Sequence, residues 1–214
     1  IMKINLFLSI LYYITTEISP NCGKRLVVCL KNSKTNRRVW IVWISLSCAV
    51  VLAASTALAF YFLYLPKKYS QFVERYAAEC GLDSDLVYAV IRCESGFDED
   101  AMSRSGAIGL MQLLPETANY ISRLAGKEHA PDLYDAESNI RTGVLYLVYL
   151  RQRFSTLSEI LAAYNAGEGR VNAWLCDPRY SDNGETLTDI PFQETRQYVK
   201  RVKKFYNYYK FFYF

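Results

Sequence analysis

The sequence predicts an all-α outer domain preceded by one N-terminal transmembrane helix, and three observations carry that prediction. Residues 39–65, VWIVWISLSCAVVLAASTALAFYFLYL, contain no charged side chain. From Phe72 onward apolar residues recur at helical spacing, and no stretch alternates apolar and polar residues convincingly as a half-buried strand does. The charge is also divided. The chain of 214 residues carries a net +4, yet from Glu74 onward there are 20 acidic against 16 basic side chains. The basic excess therefore belongs to the N-terminal part and is not a nucleic-acid footprint spread over a fold.

The uncharged run is 27 residues long, whereas about 20 suffice to cross the hydrocarbon core. Trp40 and Trp43 at one end, with Tyr61 and Tyr64 at the other, stand where interfacial aromatics belong. A cleaved leader is the competing reading, because Ala57-Leu58-Ala59 resembles a cleavage site. The apolar part of a leader is only about 7–15 residues, which favours the anchor. Lys24, Arg25, Lys31, Lys34, Arg37 and Arg38 precede the run, and only Lys67 and Lys68 closely follow it. The positive-inside bias then makes the protein single-pass, with a cytoplasmic N-terminus. Residues 1–38 are a basic cytoplasmic segment, 39–65 the transmembrane helix and 66–214 the extracytoplasmic domain. The apolar segment INLFLSILYYI within residues 1–20 is too short to span, and no function is assigned to it.

The elements of the outer domain follow in order. Pro66 marks a linker. Phe72, Val73, Tyr76, Ala77 and Cys80 form a first helical face, with Gly81 as its stop. Asp83 is an N-cap for a helix carrying Leu86, Val87, Val90 and Ile91, closed by Glu94-Ser95-Gly96. Residues 97–109 are acidic, then rich in Ser and Gly, and read as loop. Pro115 suits the first turn of a helix to about Leu124. Further helices are expected at Ser138–Phe154, at Leu157–Tyr164 with a stop at Asn165-Ala166-Gly167, and at Val171–Leu175. A polar loop spans Asp177–Asp189, and Pro191 opens a last helix to the aromatic end FYNYYKFFYF. That end is expected to pack on the domain, with a membrane-surface contact as the alternative.

Several chemistries are pruned at once. A Ser-His-Asp or Cys-His device must use His129, the only histidine, which sits in a polar loop. No nucleophile elbow, phosphate-binding glycine loop or dinucleotide fingerprint is present. Six cysteines occur without a CxxC spacing, so neither a metal site nor a cofactor is expected. Carboxylate chemistry remains. Cleaving a glycosidic bond requires an acid that stays protonated near neutral pH. Glu94 follows Val90 and Ile91 at i+4 and i+3, so it emerges on the buried side of its helix, where desolvation raises a carboxyl pKa.

The segment GLDSDLVYAVIRCESGFDEDAMSRSGAIGLMQLLPETA at 81–118 resembles the catalytic segment of the Slt-type lytic transglycosylases, relatives of goose-type lysozyme. Three further pieces match the family in its order. They are Gly109-Leu110-Met111-Gln112, then Ala163-Tyr164-Asn165-Ala166-Gly167, then Glu194-Thr195-Arg196-Gln197-Tyr198-Val199. Each is weak alone; four in order are specific, and together they cover about residues 70–210. The resemblance implies a lysozyme-like fold and a peptidoglycan lytic transglycosylase, a lyase acting on the β-1,4 bond between N-acetylmuramic acid and N-acetylglucosamine. It implies Glu94 as acid and then base, with the muramoyl C6 hydroxyl attacking C1 to leave a 1,6-anhydro end. A nucleophile supplied by the substrate removes the need for a second carboxylate.

By residue type and resemblance, Ser95, Gly109, Met111, Gln112, Tyr164, Asn165, Glu194 and Tyr198 are the expected substrate-binding residues. Ser95 is placed to orient Glu94, and Met111 to wall a sugar ring. Gln112 offers amide donors and acceptors, and Tyr164 and Asn165 suit sugar hydroxyls. Gly106 and Gly109 are expected to let the loop approach the glycan, and Glu194 to support Tyr198 or a substrate hydroxyl. Asp98, Glu99 and Asp100 read as a solvated loop. Cys93 departs from the family pattern. A Cys80–Cys93 disulfide is the alternative to two small buried apolar residues, and Glu168 stands where the family often has Pro. Expected partners are peptidoglycan strands and the membrane, with no nucleic acid. A hydrolytic muramidase of the same fold and a non-catalytic wall-binding protein are the alternatives.

Overall fold

The computed structural model describes residues 34–127 and 129–213. The basic stretch before Lys34, with Cys22, Cys29 and the apolar segment, lies outside them. The chain divides into two units, Ile1–Tyr61 and Phe62–Phe214.

The helix α1 (Lys34–Tyr64) begins in the first unit, and its last three residues belong to the second. Its segment Arg37–Ala59 is long and apolar enough to cross a membrane, and none of it is buried. Ile41, Val42, Leu46, Val51 and Leu52 all stand exposed. A helix apolar on every side suits lipid, not water. Its hydroxyls do not spoil that: Ser45, Ser47, Ser55 and Thr56 each donate to the carbonyl three residues earlier at 2.8–2.9 Å.

The second unit is helical. It contains α2 (Ser70–Glu79), α3 (Ser84–Glu94), α4 (Pro115–Leu124), α5 (Ala136–Arg151), α6 (Leu157–Ala166), α7 (Glu168–Leu175) and α8 (Gln193–Tyr213). Strand pairing among the described residues is limited to two isolated bridges, Met102 with Ile108 and Ile108 with Leu113. The expected starts hold at Asp83, whose side chain caps α3 by accepting from the Asp85 N–H at 3.0 Å, and at Pro115 in the first turn of α4. The helix α5 begins at Ala136, two residues before the expected start, because Asp135 caps it by accepting from the Ser138 N–H. Thr156 and Glu159 form a reciprocal capping box on α6.

The helix α3 is the centre of the unit. Its sequence reads as one apolar face, but the structure buries Leu86 through Ile91 without a break. The reason is that α2 covers one side and α8 the other, so Tyr88 and Ala89 are enclosed as well. The α8 helix presses Tyr198, Val199, Val202 and Tyr209 inward and also packs on α6. At the far end Tyr206 donates to the Asp83 carboxylate at 2.7 Å, so the cap of α3 is tied to α8.

Residues 95–114 fold back over the C-terminal end of α3, and a buried amide is one of the groups that hold them there. Asn139 is fully buried; its Oδ1 accepts from the Met111 N–H at 2.9 Å. Its Nδ2 donates to the carbonyls of Ile108 at 3.0 Å and Leu133 at 2.8 Å. Gly109 has φ +76°, and a Cβ there would sit 2.2 Å from that Nδ2 and 2.4 Å from the Leu133 oxygen. The glycine is needed for this close approach. Gly143 receives Met111 likewise; a Cβ there would lie 2.2 Å from the Met111 sulfur.

Truncating Asn139 would strand a buried N–H and two carbonyls. Asn139→Ala is therefore expected to cost roughly 3 kcal/mol. In a domain of this size that lowers Tm by about 6–12 °C, which differential scanning calorimetry measures directly. An unchanged Tm would mean that this amide does not hold the loop.

Candidate active site

Glu94 is the last residue of α3, and Ser95 caps the helix. The carboxyl opens on a cleft of about 420 Å³. Gln112 comes from the folded-back loop, Tyr164 and Asn165 from the end of α6, and Glu194 from the first turn of α8. The α6 helix ends there because Gly167, at φ +94°, turns the chain into α7.

Burial pushes the Glu94 carboxyl up to about 7. The Tyr198 hydroxyl and then the Arg201 guanidinium pull in the opposite direction. No carboxylate contributes to the shift, although Glu194 lines the same cleft. Glu194 is exposed, whereas Glu94 is sheltered. The site therefore holds one acid that is about half protonated at neutral pH, with no interacting pair. Tyr198 is fully buried, and its hydroxyl makes no direct hydrogen bond among the described residues. Glu94 nonetheless acts on it, raising its pKa together with burial.

The expected site residues divide into two groups. Glu94, Gln112, Tyr164, Asn165 and Glu194 line the cleft together. Ser95, Gly109, Met111 and Tyr198 do not. The Ser95 hydroxyl donates to the Leu110 carbonyl at 2.9 Å and accepts from the Phe97 N–H at 3.1 Å, pinning the loop to the end of α3. Gly109 approaches Leu133 and Asn139, not open space. Met111 is fully buried against Gly143, and its carbonyl accepts from the Tyr164 hydroxyl at 2.8 Å.

Gln112 takes φ +47°, unusual for a residue with a side chain. Its Nε2 donates to the carbonyls of Ala101 at 2.9 Å and Gly109 at 3.0 Å. Both amide hydrogens are thus committed, and the Oε1 remains as an acceptor. Cys80 and Cys93 are free thiols, and burial pushes Cys93 up to about 12. Asp98, Glu99 and Asp100 are exposed, and Glu168 pairs with Arg153 at 2.7 Å. No cluster of three or more metal-ligating side chains occurs among the described residues.

Sequence reasoning missed Asn139, Tyr146, Ser103 and Arg170. Tyr146 packs against Tyr164, with centroids 5.1 Å apart and the planes tilted by 37°, and adds an aromatic surface to the cleft. Ser103 and Arg170 complete the rim. Asn139 left a legible signal. With Gly143 it falls on the helical seam of Leu147 and Leu150, where a small polar group marks backbone that it must satisfy. Tyr146 left none, since aromatic residues are ordinary core material.

A family model, the transglycosylase SLT domain, matches residues 71–185. The soluble lytic murein transglycosylase of Escherichia coli K12 is 36% identical over 153 residues, which is 69% of this chain and 24% of that protein. The membrane-bound lytic murein transglycosylase C of Photorhabdus laumondii is 31% identical over 159 residues, covering 63% of this chain and 44% of the relative. An inactive glutamate-to-glutamine mutant of the lytic transglycosylase Slt of Pseudomonas aeruginosa superimposes with a TM-score of 0.61 at 40% identity, over 70% of this chain and 25% of that one. The 70 kDa soluble lytic transglycosylase of E. coli gives 0.64 at 30% identity, over 86% and 31%. The chain thus spans about a quarter of the soluble relative's length. With a family model matched over more than half its residues, and a helical fold shared with those structures, the chain belongs to the transglycosylase SLT domain family.

Proposed function

We propose that this chain is a membrane-anchored peptidoglycan lytic transglycosylase. It cleaves the β-1,4 bond between N-acetylmuramic acid and N-acetylglucosamine and leaves a 1,6-anhydromuramoyl end. The observation that carries the reading is the single sheltered carboxyl at the cleft wall, raised by burial to about 7 with no carboxylate acting on it. Glu94 protonates the departing glycosidic oxygen and then takes the proton of the muramoyl C6 hydroxyl as that oxygen attacks C1. A retaining hydrolase would set a second carboxylate about 5–5.5 Å from the first. Such a neighbour would raise the Glu94 pKa through charge repulsion, and no such contribution is present.

Around this acid, the Gln112 Oε1, Asn165 and Glu194 receive sugar hydroxyl and acetamido groups. Tyr146 and Tyr164 offer ring surface. Tyr198 keeps its hydroxyl for the Glu94 carboxyl. Ser95, Gly109 and Met111 act indirectly by fixing the loop that carries Gln112. The names of the relatives, soluble and membrane-bound, agree with this activity. The helix α1 is the anchor, with the basic N-terminal side in the cytoplasm and the cleft outside.

Purified peptidoglycan digested with the protein should release muropeptides with anhydro ends. Reducing muramic ends alone would favour the muramidase reading, and no release at all the wall-binding one. Glu94→Gln should lower cleavage by at least about a thousandfold, since it removes a group that acts first as acid and then as base.

The same carboxyl fixes two pH responses. As a proton donor it must be protonated, so kcat/KM is expected to fall as pH rises through about 7. Arg201 holds that value down, so Arg201→Gln should move the alkaline limb to higher pH. A limb that moves downward would remove Arg201 from the site's electrostatics. For stability, the folded pKa lies above the unfolded value of 4.5. Stability contributed by this group is therefore complete below pH 4.5 and lost as pH rises through 7. The difference is roughly 3 kcal/mol above pH 8. Glu94→Gln should accordingly raise Tm at pH 8 and leave it nearly unchanged at pH 4.5. An equal shift at both pH values would contradict the burial argument.

A further inference from the structure

The geometry points to a second membrane contact: the C-terminal turns of α8 rest on the lipid surface from which α1 emerges. This inference rests on the reading of α1 as a span. The Tyr213 hydroxyl donates to the Leu65 carbonyl at 2.6 Å, and the Tyr209 hydroxyl to the Pro66 carbonyl at 3.0 Å. Leu65 and Pro66 directly follow the last residue of α1. They leave the bilayer with it by chain connectivity, whatever the angle between the units. Two tyrosines therefore bring the end of α8 to the membrane surface.

The surface presented there has interfacial chemistry. Phe211 is 79% exposed and Phe212 44% exposed, with ring centroids 5.1 Å apart and the planes edge to face. Exposed phenylalanine rings at a helix end are a liability in water, but belong at the headgroup level. Lys200, Lys204, Asn207 and Phe211 are all exposed at i, i+4, i+7 and i+11, a basic stripe ending in an aromatic. Beyond Glu194, the described residues of α8 include no acidic side chain. Lys68 is exposed beside the same junction. Cationic groups behind buried aromatic rings are the pattern of a helix lying on anionic lipid, and the occupant is that bilayer surface.

The test uses the full chain in vesicles of phosphatidylethanolamine and phosphatidylglycerol. A photoreactive benzophenone amino acid replaces Phe211, Leu52 within α1, or Tyr134. Tyr134 is exposed and bonds to Met102 on the loop beside the cleft. Mass spectrometry then reads covalent phospholipid adducts after illumination. Lipid capture at 52 and 211, with roughly fivefold or more over 134, supports the contact. Capture at 52 with none at 211, with a second protein chain at 211 instead, or with equal yields at 211 and 134, overturns it and leaves the span standing. No capture at 52 overturns the span and this inference with it.

Discussion

The structure depends on keeping one carboxyl out of water. Glu94 stands at the C-terminal end of α3, where the helix dipole disfavours negative charge, and it is desolvated as well. Both effects work against the ionised form. A protein tolerates such a group only if the surroundings cannot relax around it. The helix that carries it is accordingly enclosed from Leu86 to Ile91, between α2 and α8. Tyr198 and Arg201, both on α8, temper the shift without cancelling it. The core's most constrained helix thus ends in its least comfortable residue, and the constraint is what keeps the acid protonatable near neutral pH.

The folded-back loop is the complementary half of the arrangement. Its backbone takes positive φ at Phe97, Gly106, Gly109 and Gln112, which a free loop would not hold. Three separate anchors impose it: Ser95 on the Leu110 carbonyl, Asn139 on residues 108 and 111, and Tyr164 on the Met111 carbonyl. Each lies on a different helix end or face, so the loop registers α3, α5 and α6 against one another. This explains why the string Gly109-Leu110-Met111-Gln112 contains mostly inward-facing residues. Only Gln112 reaches the cleft, and even its amide hydrogens are spent on the loop itself.

Much of the fold was legible because its signals are local. A capping aspartate at 83, a proline at 115 and a glycine at 167 mark helix ends through backbone physics that no tertiary contact needs to supply. The full burial of α3 was not legible, since Tyr88 and Ala89 look neutral until α8, more than a hundred residues later, closes over them. The cleft followed the same division. Glu94 and Gln112 stood out by residue type, motif and periodicity. Ser95 and Met111 also stood out, but their side chains serve the loop, which only the hydrogen bonds reveal. Tyr146 was silent because an aromatic residue on a helix reads as ordinary core, and only the fold shows that it lines the cleft.

The C-terminal helix joins the cleft to the residues that follow α1. Glu194 in its first turn lines the cleft, and Tyr213 in its last bonds to the Leu65 carbonyl. Its 21 residues span roughly 30 Å at 1.5 Å per residue. The Glu194 rim of the cleft therefore stands within about that length of the junction at Leu65 and Pro66. The length of one helix and the attachment of its end therefore set how far the rim of the cleft stands from the residues that follow α1.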